Sequence, residues 1–232
     1  MKKNKFLGIL LSAIALFSSC DNDHDGPIIY LGMGTIDKPA QTYTVTFDND
    51  LVAAIPDSSL LAISGSNKIG QRVIVSFHKI DDQNQEAGIY LHSILPVLTK
   101  PFFYQPTGLQ SDSLGYDPVN ISSAWIGGHH LNVEFTYRGG AYTNIPHFIN
   151  MVDKGLQTPE GISKLQFRHN ANGDHSNLLF SGYVSFPLPD NAAEEYVVTY
   201  KGLDMETHEF KVVKKNSEAT FDNGYNKRTT YK

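Results

Sequence analysis

The sequence predicts an all-β protein: a small OB-type barrel followed by an antiparallel β-sandwich. Three observations carry that prediction. Between residues 28 and 215 apolar residues recur with a period of two, and no stretch sustains a 3.6-residue repeat beyond a turn or two. The apolar runs are rich in Val, Ile, Tyr, Phe and Thr and are separated by Gly, Asn, Asp and Pro clusters, the composition of short strands and tight turns. A polar interruption at residues 105–117 (QPTGLQSDSLGYD) lacks apolar alternation and divides the strands into two sets.

The elements follow in chain order. Residues 1–19 form a leader, with Lys2, Lys3 and Lys5 ahead of the uncharged apolar run at 6–17. That run is shorter than the roughly 20 apolar residues needed to span a bilayer, so it is a removable signal and not a membrane span. It ends in Ser18-Ser19-Cys20, the small-small-Cys arrangement of a lipoprotein signal, although Phe17 stands where leucine is commonest. The thiol of Cys20, the chain's single cysteine, is the group that accepts lipid. A lipidated Cys20 is unavailable as nucleophile, zinc ligand or half of a disulfide, so the mature chain has to fold on packing alone. Its length of about 210 residues is enough for one large or two small cores.

Residues 20–27 form an acidic tether carrying Asp21, Asp23 and Asp25. Taking the leader's three lysines off the formal net charge of −5 leaves −8 on the rest of the chain. A surface of that sign repels phosphate backbones, and an exported protein is removed from nucleic acid in any case, so nucleic acid is excluded as a partner. The expected partner of the N-terminus is a membrane, through the lipid on Cys20.

Residues 28–104 are expected to be the barrel, with strands at 43–47, 51–55, 72–80 and 88–98 and a turn at Asp48-Asn49-Asp50. Within 72–80, Val73, Val75 and Phe77 share one face, while Arg72, Ser76 and His78 share the other, which reads as the wet side. Residues 105–117 read as a linker. Residues 118–215 are expected to be the sandwich, and contain the cleanest alternation in the chain: Leu131, Val133, Phe135 and Tyr137 against Asn132, Glu134, Thr136 and Arg138. Further strands read at 148–152, 165–169, 183–188, 196–200 and 208–213. Residues 216–232 collapse into Lys, Asn, Ser, Thr and Asp and are expected to be a loosely ordered tail.

Gly70-Gln71-Arg72-Val73-Ile74-Val75 in the barrel, the 131–137 strand with His147-Phe148-Ile149-Asn150, and Leu165-Gln166-Phe167-Arg168-His169-Asn170 occur in an order and spacing that resemble the NigD-like lipoproteins of Bacteroidetes. The resemblance implies an N-terminal OB domain, a C-terminal β-sandwich and a link to bacteriocin production or immunity. It supplies no catalytic residues. The acidic run Asp21–Asp25 is similar to the signal that sends such lipoproteins to the outer face of the outer membrane. The implied location is thus the cell envelope, lipid-anchored at the outer membrane and facing either the cell surface or the periplasm. Asp112-Ser113-Leu114 matches the short pattern that such bacteria O-glycosylate, which makes Ser113 a candidate modification site.

Nine histidines raise the question of metal chemistry, with His129-His130, His147, His169 and Asp174-His175 foremost. Adjacent side chains on an extended backbone point to opposite faces, and no H-E-x-x-H or H-x-H spacing occurs, so no metal site and no cofactor are expected. Gly65-Ser66-Asn67 lacks the G-x-S-x-G elbow, and Gly32-Met33-Gly34 lacks a third glycine and a following helix and reads as a turn or bulge. Asp81-Asp82 and Glu194-Glu195 lie in polar connections with no opposing carboxylate in view. No catalytic residue is assigned. Trp125, His147 and His169 are the candidate binding surface. Trp125 is read as plugging the sandwich, and Phe102-Phe103-Tyr104 as packing the two domains together or offering a stacking platform.

The expectation is a non-enzymatic, membrane-anchored binding module for a protein, peptide or glycan. The rival is an envelope hydrolase or metal-dependent enzyme that assembles His147, His169 and Asp174 from separate strands. A third reading is a scaffold in an envelope complex.

Overall fold

A computed structural model describes residues 27–80, 88–141, 144–159, 161–174, 176–214 and 226–228. Its first half consists of β1 (Ile29–Asp37), β2 (Tyr43–Phe47), β3 (Val52–Ile55), α1 (Ser59–Ile63), β4 (Arg72–Ile80) and β5 (Gly88–Pro96). These strands run in the order β1-β2-β3-β5-β4, and β1 pairs with β4 as well, which closes a five-stranded barrel. All pairings are antiparallel except β3 with β5. This is the topology of an OB barrel, with α1 inserted between β3 and β4. Inside are Ile36, Val45, Phe47, Ile55, Val73, Val75 and Phe77, and Leu61 of α1 is fully buried with them.

β1 was hidden in the sequence by its glycines. Gly32-Met33-Gly34 is not a turn or bulge but the middle of that strand. Gly34 lies opposite Phe47 on one side and Val73 on the other. A Cβ there would stand 2.6 Å from Val45 Cγ2 and 2.7 Å from the carbonyl oxygen of Thr46. The barrel closes because that position carries only hydrogen.

The second half comprises β6 (Leu98–Thr99), β7 (Phe103–Tyr104), α2 (Gly108–Ser113), β8 (Val119–Gly127), β9 (His130–Gly139), β10 (Phe148–Gln157), β11 (Ser163–Asn170), β12 (Leu178–Pro187), β13 (Glu195–Lys201) and β14 (Thr207–Val213). They form two sheets, β6-β12-β9-β8 and β14-β13-β11-β10-β7. Leu131, Val133, Phe135, Val184 and Phe186 of the first sheet meet Met151, Leu165, Phe167, Val198 and Val212 of the second. The 131–137 alternation thus does what its pattern predicts: one set of side chains fills the sandwich.

Several segments differ from the pattern read in the sequence. Residues 98–104 hydrogen-bond with the sandwich, β6 running parallel to β12 and β7 parallel to β10. Phe102 accordingly does not pack the two domains together; it lies in the sandwich core 5.8 Å from the Phe186 ring. Residues 108–117 are pinned to β11 and the turn after it. Arg168 donates to the carbonyls of Gly115 and Ser111 and lies over the Tyr116 ring, Asn170 Nδ2 donates to the Ser113 carbonyl at 2.8 Å, and Asp117 Oδ2 accepts the Ala171 N–H at 2.7 Å. A segment without apolar alternation has no ladder to join, so its backbone groups are satisfied from the side. Within the 216–232 tail, β15 (Asn226–Arg228) pairs antiparallel with Ile29–Leu31 of β1.

Candidate functional site

Two buried polar clusters stand out, one between the domains and one inside the sandwich. The first starts from register. Trp125, Asn132 and Ser185 lie directly opposite one another on β8, β9 and β12, so they form one row across the outer face of that sheet. In the barrel, Thr35 of β1 lies opposite Arg72 of β4. The barrel sits on the row, and the two sets of side chains interlock.

Arg72 Nη2 pairs with Asp48 Oδ1 at 2.7 Å and donates to Asn132 Oδ1 at 2.9 Å, while Nη1 donates to Thr35 Oγ1 at 3.1 Å. Ser185 Oγ donates to Asn132 Oδ1 at 2.6 Å. Asp48 Oδ2 accepts the Trp125 indole N–H at 2.7 Å and the Asn132 amide at 3.1 Å. Arg72 is 0% exposed. Its expected place on a wet face is therefore corrected, because the sandwich covers that end of the strand. Trp125 likewise does not plug the sandwich; it reaches outward to the barrel. A two-residue turn, Gly128 and His129, both at positive φ, brings β8 and β9 to this contact. A Cβ on neighbouring Gly127 would overlap the Asp48 side chain, so the close approach requires glycine there.

The second cluster joins the residues of the enzymatic alternative. His147 precedes β10, His169 lies near the end of β11, and Asp174 follows that strand. His147 Nδ1 is 2.9 Å from His169 Nε2, and His147 Nε2 is 3.4 Å from Asp174 Oδ2. Asp174 is itself anchored, accepting the backbone N–H of Gly140 at 2.8 Å and of Ser176 at 2.9 Å. The Tyr137 ring packs against both imidazoles. Burial, reinforced by the neighbouring His147, pushes His169 down to about 4, so it is neutral near pH 7. The contacts thus run in a chain from the Asp174 carboxylate through the His147 ring to His169.

An oriented Asp–His pair is half of a nucleophilic machine, and the other half is a nucleophile hydrogen-bonded to the base. Here that place is taken by a second, 2%-exposed histidine. Among the described residues no group of three or more His, Cys, Asp and Glu is arranged to hold a metal ion. His130 is held below the usual imidazole range by burial and opens β9, its Nδ1 meeting the Gly128 carbonyl beside the domain contact. A pair absent from the sequence reading lies on the barrel exterior, where His78 Nδ1 and His92 Nε2 are 2.8 Å apart.

The other candidates are dispersed. Ser113 ends α2, is exposed, and donates its hydroxyl to the Gln110 carbonyl at 2.8 Å. Glu194 and Glu195 pair with Lys214 and Lys211. Cys20, Asp21, Asp23, Asp25, Asp81, Asp82 and His175 lie outside the described residues. No helix among the described residues is long and apolar enough to cross a membrane. Sequence reasoning missed the Arg72–Asp48 contact entirely; the one available signal was an arginine directly ahead of the apolar stretch Val73-Ile74-Val75.

The fold and these clusters define a two-domain β protein, an OB barrel fastened to a β-sandwich. The NigD-like C-terminal beta sandwich domain matches residues 100–223, and the chain belongs to that family. Among curated proteins none matches the sequence. Among solved structures, a protein from Parabacteroides distasonis described as toxin-related is similar at 28% identity and a TM-score of 0.62, over 84% of this chain and 97% of that one. A NigD-like immunity protein from Bacteroides caccae is similar at 18% identity and a TM-score of 0.58, over 80% and 96%. A protein from Bacteroides fragilis described as a lipoprotein is similar at 9% identity and a TM-score of 0.62, over 82% and 100%. At such identities the last two speak for the fold.

Proposed function

We propose that this chain is a non-enzymatic lipoprotein of the bacterial cell envelope that binds a partner protein or peptide in bacteriocin production or immunity. The observation that carries this reading is membership of the NigD-like family together with similarity across both domains to a protein described as toxin-related and to a NigD-like immunity protein. Lipid on Cys20 anchors the body to the outer membrane, and Asp21, Asp23 and Asp25 direct it to the cell surface. The interlocked domain contact supports a binding role, since it presents both domains as one rigid surface.

The deciding experiment is deletion of the gene followed by challenge with the bacteriocin made by the same strain. Raised sensitivity supports immunity, and unchanged sensitivity rejects it. Cys20→Ser is expected to move the protein from the membrane to the soluble envelope fraction. Loss of the protein on protease treatment of intact cells supports surface display; its survival assigns it to the periplasm. Ser113, exposed at the end of α2, is proposed as the O-glycan acceptor, and an unmodified mass for the 105–117 peptide overturns that.

The convergence of His147, His169 and Asp174 favours one second reading, an envelope hydrolase. It predicts turnover of ester or peptide substrates that disappears in His147→Ala. Among the described residues no nucleophile is bonded to either ring, which supports the non-enzymatic reading instead.

A further inference from the structure

We infer that a pocket at one edge of the sandwich, separate from both polar clusters, takes the lysine or arginine side chain of a basic partner polypeptide. This rests on the reading of the chain as a binding module and names the chemistry of its partner. The pocket opens where β7, β10, β11 and the approach to β13 meet, and has a volume of about 240 Å³. Pockets for drug-sized ligands run from about 300 to 1,000 Å³, so this one suits a single side chain and not a whole cofactor.

Its construction begins with a bulge. The ladder between β10 and β11 shifts register between Asp153 and Leu156, with Gly155 at a φ of 69°. Such a bulge re-aims the side chain beside it. Asp153 Oδ1 accepts the Gly155 N–H at 2.7 Å, which fixes the carboxylate in the pocket wall. Phe102 and Tyr196 are buried beneath it, and Tyr104 stands at the rim with 62% of its surface exposed. The Tyr196 hydroxyl accepts the Ala193 N–H at 3.0 Å and so holds the opposite rim in place.

Charge selects the occupant. Among the described residues that line the pocket, Asp153 is the one with a charged side chain. Lys154 and Lys164 adjoin the lining residues Asp153 and Ser163 in sequence, but do not line the pocket. The Tyr196 hydroxyl is held above its usual range by burial first, against the lowering effect of the Ala193 hydrogen bond, and the Asp153 carboxylate acts in the same direction as burial. A carboxylate beside exposed and buried aromatic rings attracts a cation through both charge and the ring faces, while the aliphatic stem of Lys or Arg covers apolar surface. An anion is repelled, and a neutral ligand leaves the carboxylate without a counter-charge.

The test is NMR titration of the mature full-length chain carrying Cys20→Ser with three blocked tripeptides, acetyl-Gly-Lys-Gly-amide, acetyl-Gly-Arg-Gly-amide and acetyl-Gly-Gln-Gly-amide, and with maltose. The two basic peptides are expected to shift the Tyr104, Asp153 and Tyr196 resonances saturably, and added salt to weaken them. Asp153→Asn and Tyr104→Ala, both at partly exposed positions, are each expected to weaken binding about fivefold while the remaining spectrum stays that of the folded protein. Equal affinity for the glutamine peptide or maltose, no saturable shift, or unchanged affinity in Asp153→Asn overturns the proposal. Failure here with raised bacteriocin sensitivity in the deletion strain rejects the pocket alone. Intact pocket binding with unchanged sensitivity rejects immunity alone.

Discussion

The contact between the domains and the histidine chain inside the sandwich are both buried and both polar, yet they solve the burial problem differently. At the domain contact a guanidinium meets a carboxylate, and amide, hydroxyl and indole groups of β1, β8 and β9 hydrogen-bond to one or the other. In the sandwich, burial removes the charge itself, leaving His169 neutral against His147. The first arrangement holds two domains together and fails if either partner is removed. The second holds one loop against one sheet and fails if a proton is added.

The largest effect is therefore expected at Arg72. Arg72→Ala leaves the Asp48 carboxylate without its counter-charge and opens a cavity, a change that costs about 3–5 kcal/mol for buried pairs. Urea or thermal unfolding is expected to show this loss, with the barrel and sandwich then melting separately. The paired replacement Arg72→Met with Asp48→Leu removes both charges and is expected to recover a large part of the stability. Equal losses in the single and double variants would show that the ion pair is not what fastens the domains.

The histidine chain gives the next effect, read as pH dependence. His169 in the folded chain titrates near 4, below the 6.5 of an unfolded histidine, so the unfolded chain takes up the proton first. The contribution is complete above pH 6.5 and drains as pH falls from 6.5 towards 4, by on the order of 3 kcal/mol. His169→Gln is expected to flatten the slope of stability over that window. Some slope persists, because burial lowers His130 and His92 in the same direction. A slope identical to that of the unaltered protein would show that His169 is not the group responsible.

These two clusters also mark what could and could not be seen in the sequence. β2 and β4 match the predicted segments residue for residue, and β9 extends its predicted segment by a residue or two at each end, because one buried face imposes a period of two. The same alternation misreads Arg72 and Asn132 and gives no notice of Ser185. They occupy positions that face outward from their own sheets, and they are buried only because a second domain covers them. A pattern within one strand carries no information about what lies on its far side. β1 was invisible for the opposite reason: its glycines reflect crowding from β2 and β4, and crowding by distant strands leaves the same local mark as a turn. The sequence offers the convergence of His147, His169 and Asp174 only within the rival enzymatic reading, from residue type and not from spacing. Their mutual bonds, which place a second histidine where an enzyme would need a nucleophile, required coordinates.

The smallest effect worth measuring separates the two halves of the domain contact. Trp125→Phe keeps most of the ring's packing but removes the indole N–H from Asp48 Oδ2. A hydrogen bond to a charged group contributes about 1.5–3 kcal/mol. The acceptor here keeps the Asn132 amide and the Arg72 ion pair, and its side chain retains 14% exposure, through which water can replace the lost donor. The expected loss is therefore about 1 kcal/mol, readable as a shift in the urea midpoint without a change in slope. A loss as large as that of Arg72→Ala would make the tryptophan, and not the ion pair, the element that fastens barrel to sandwich. In that case Trp125 would be acting through apolar contact with the barrel, and Trp125→Leu would be tolerated better than Trp125→His.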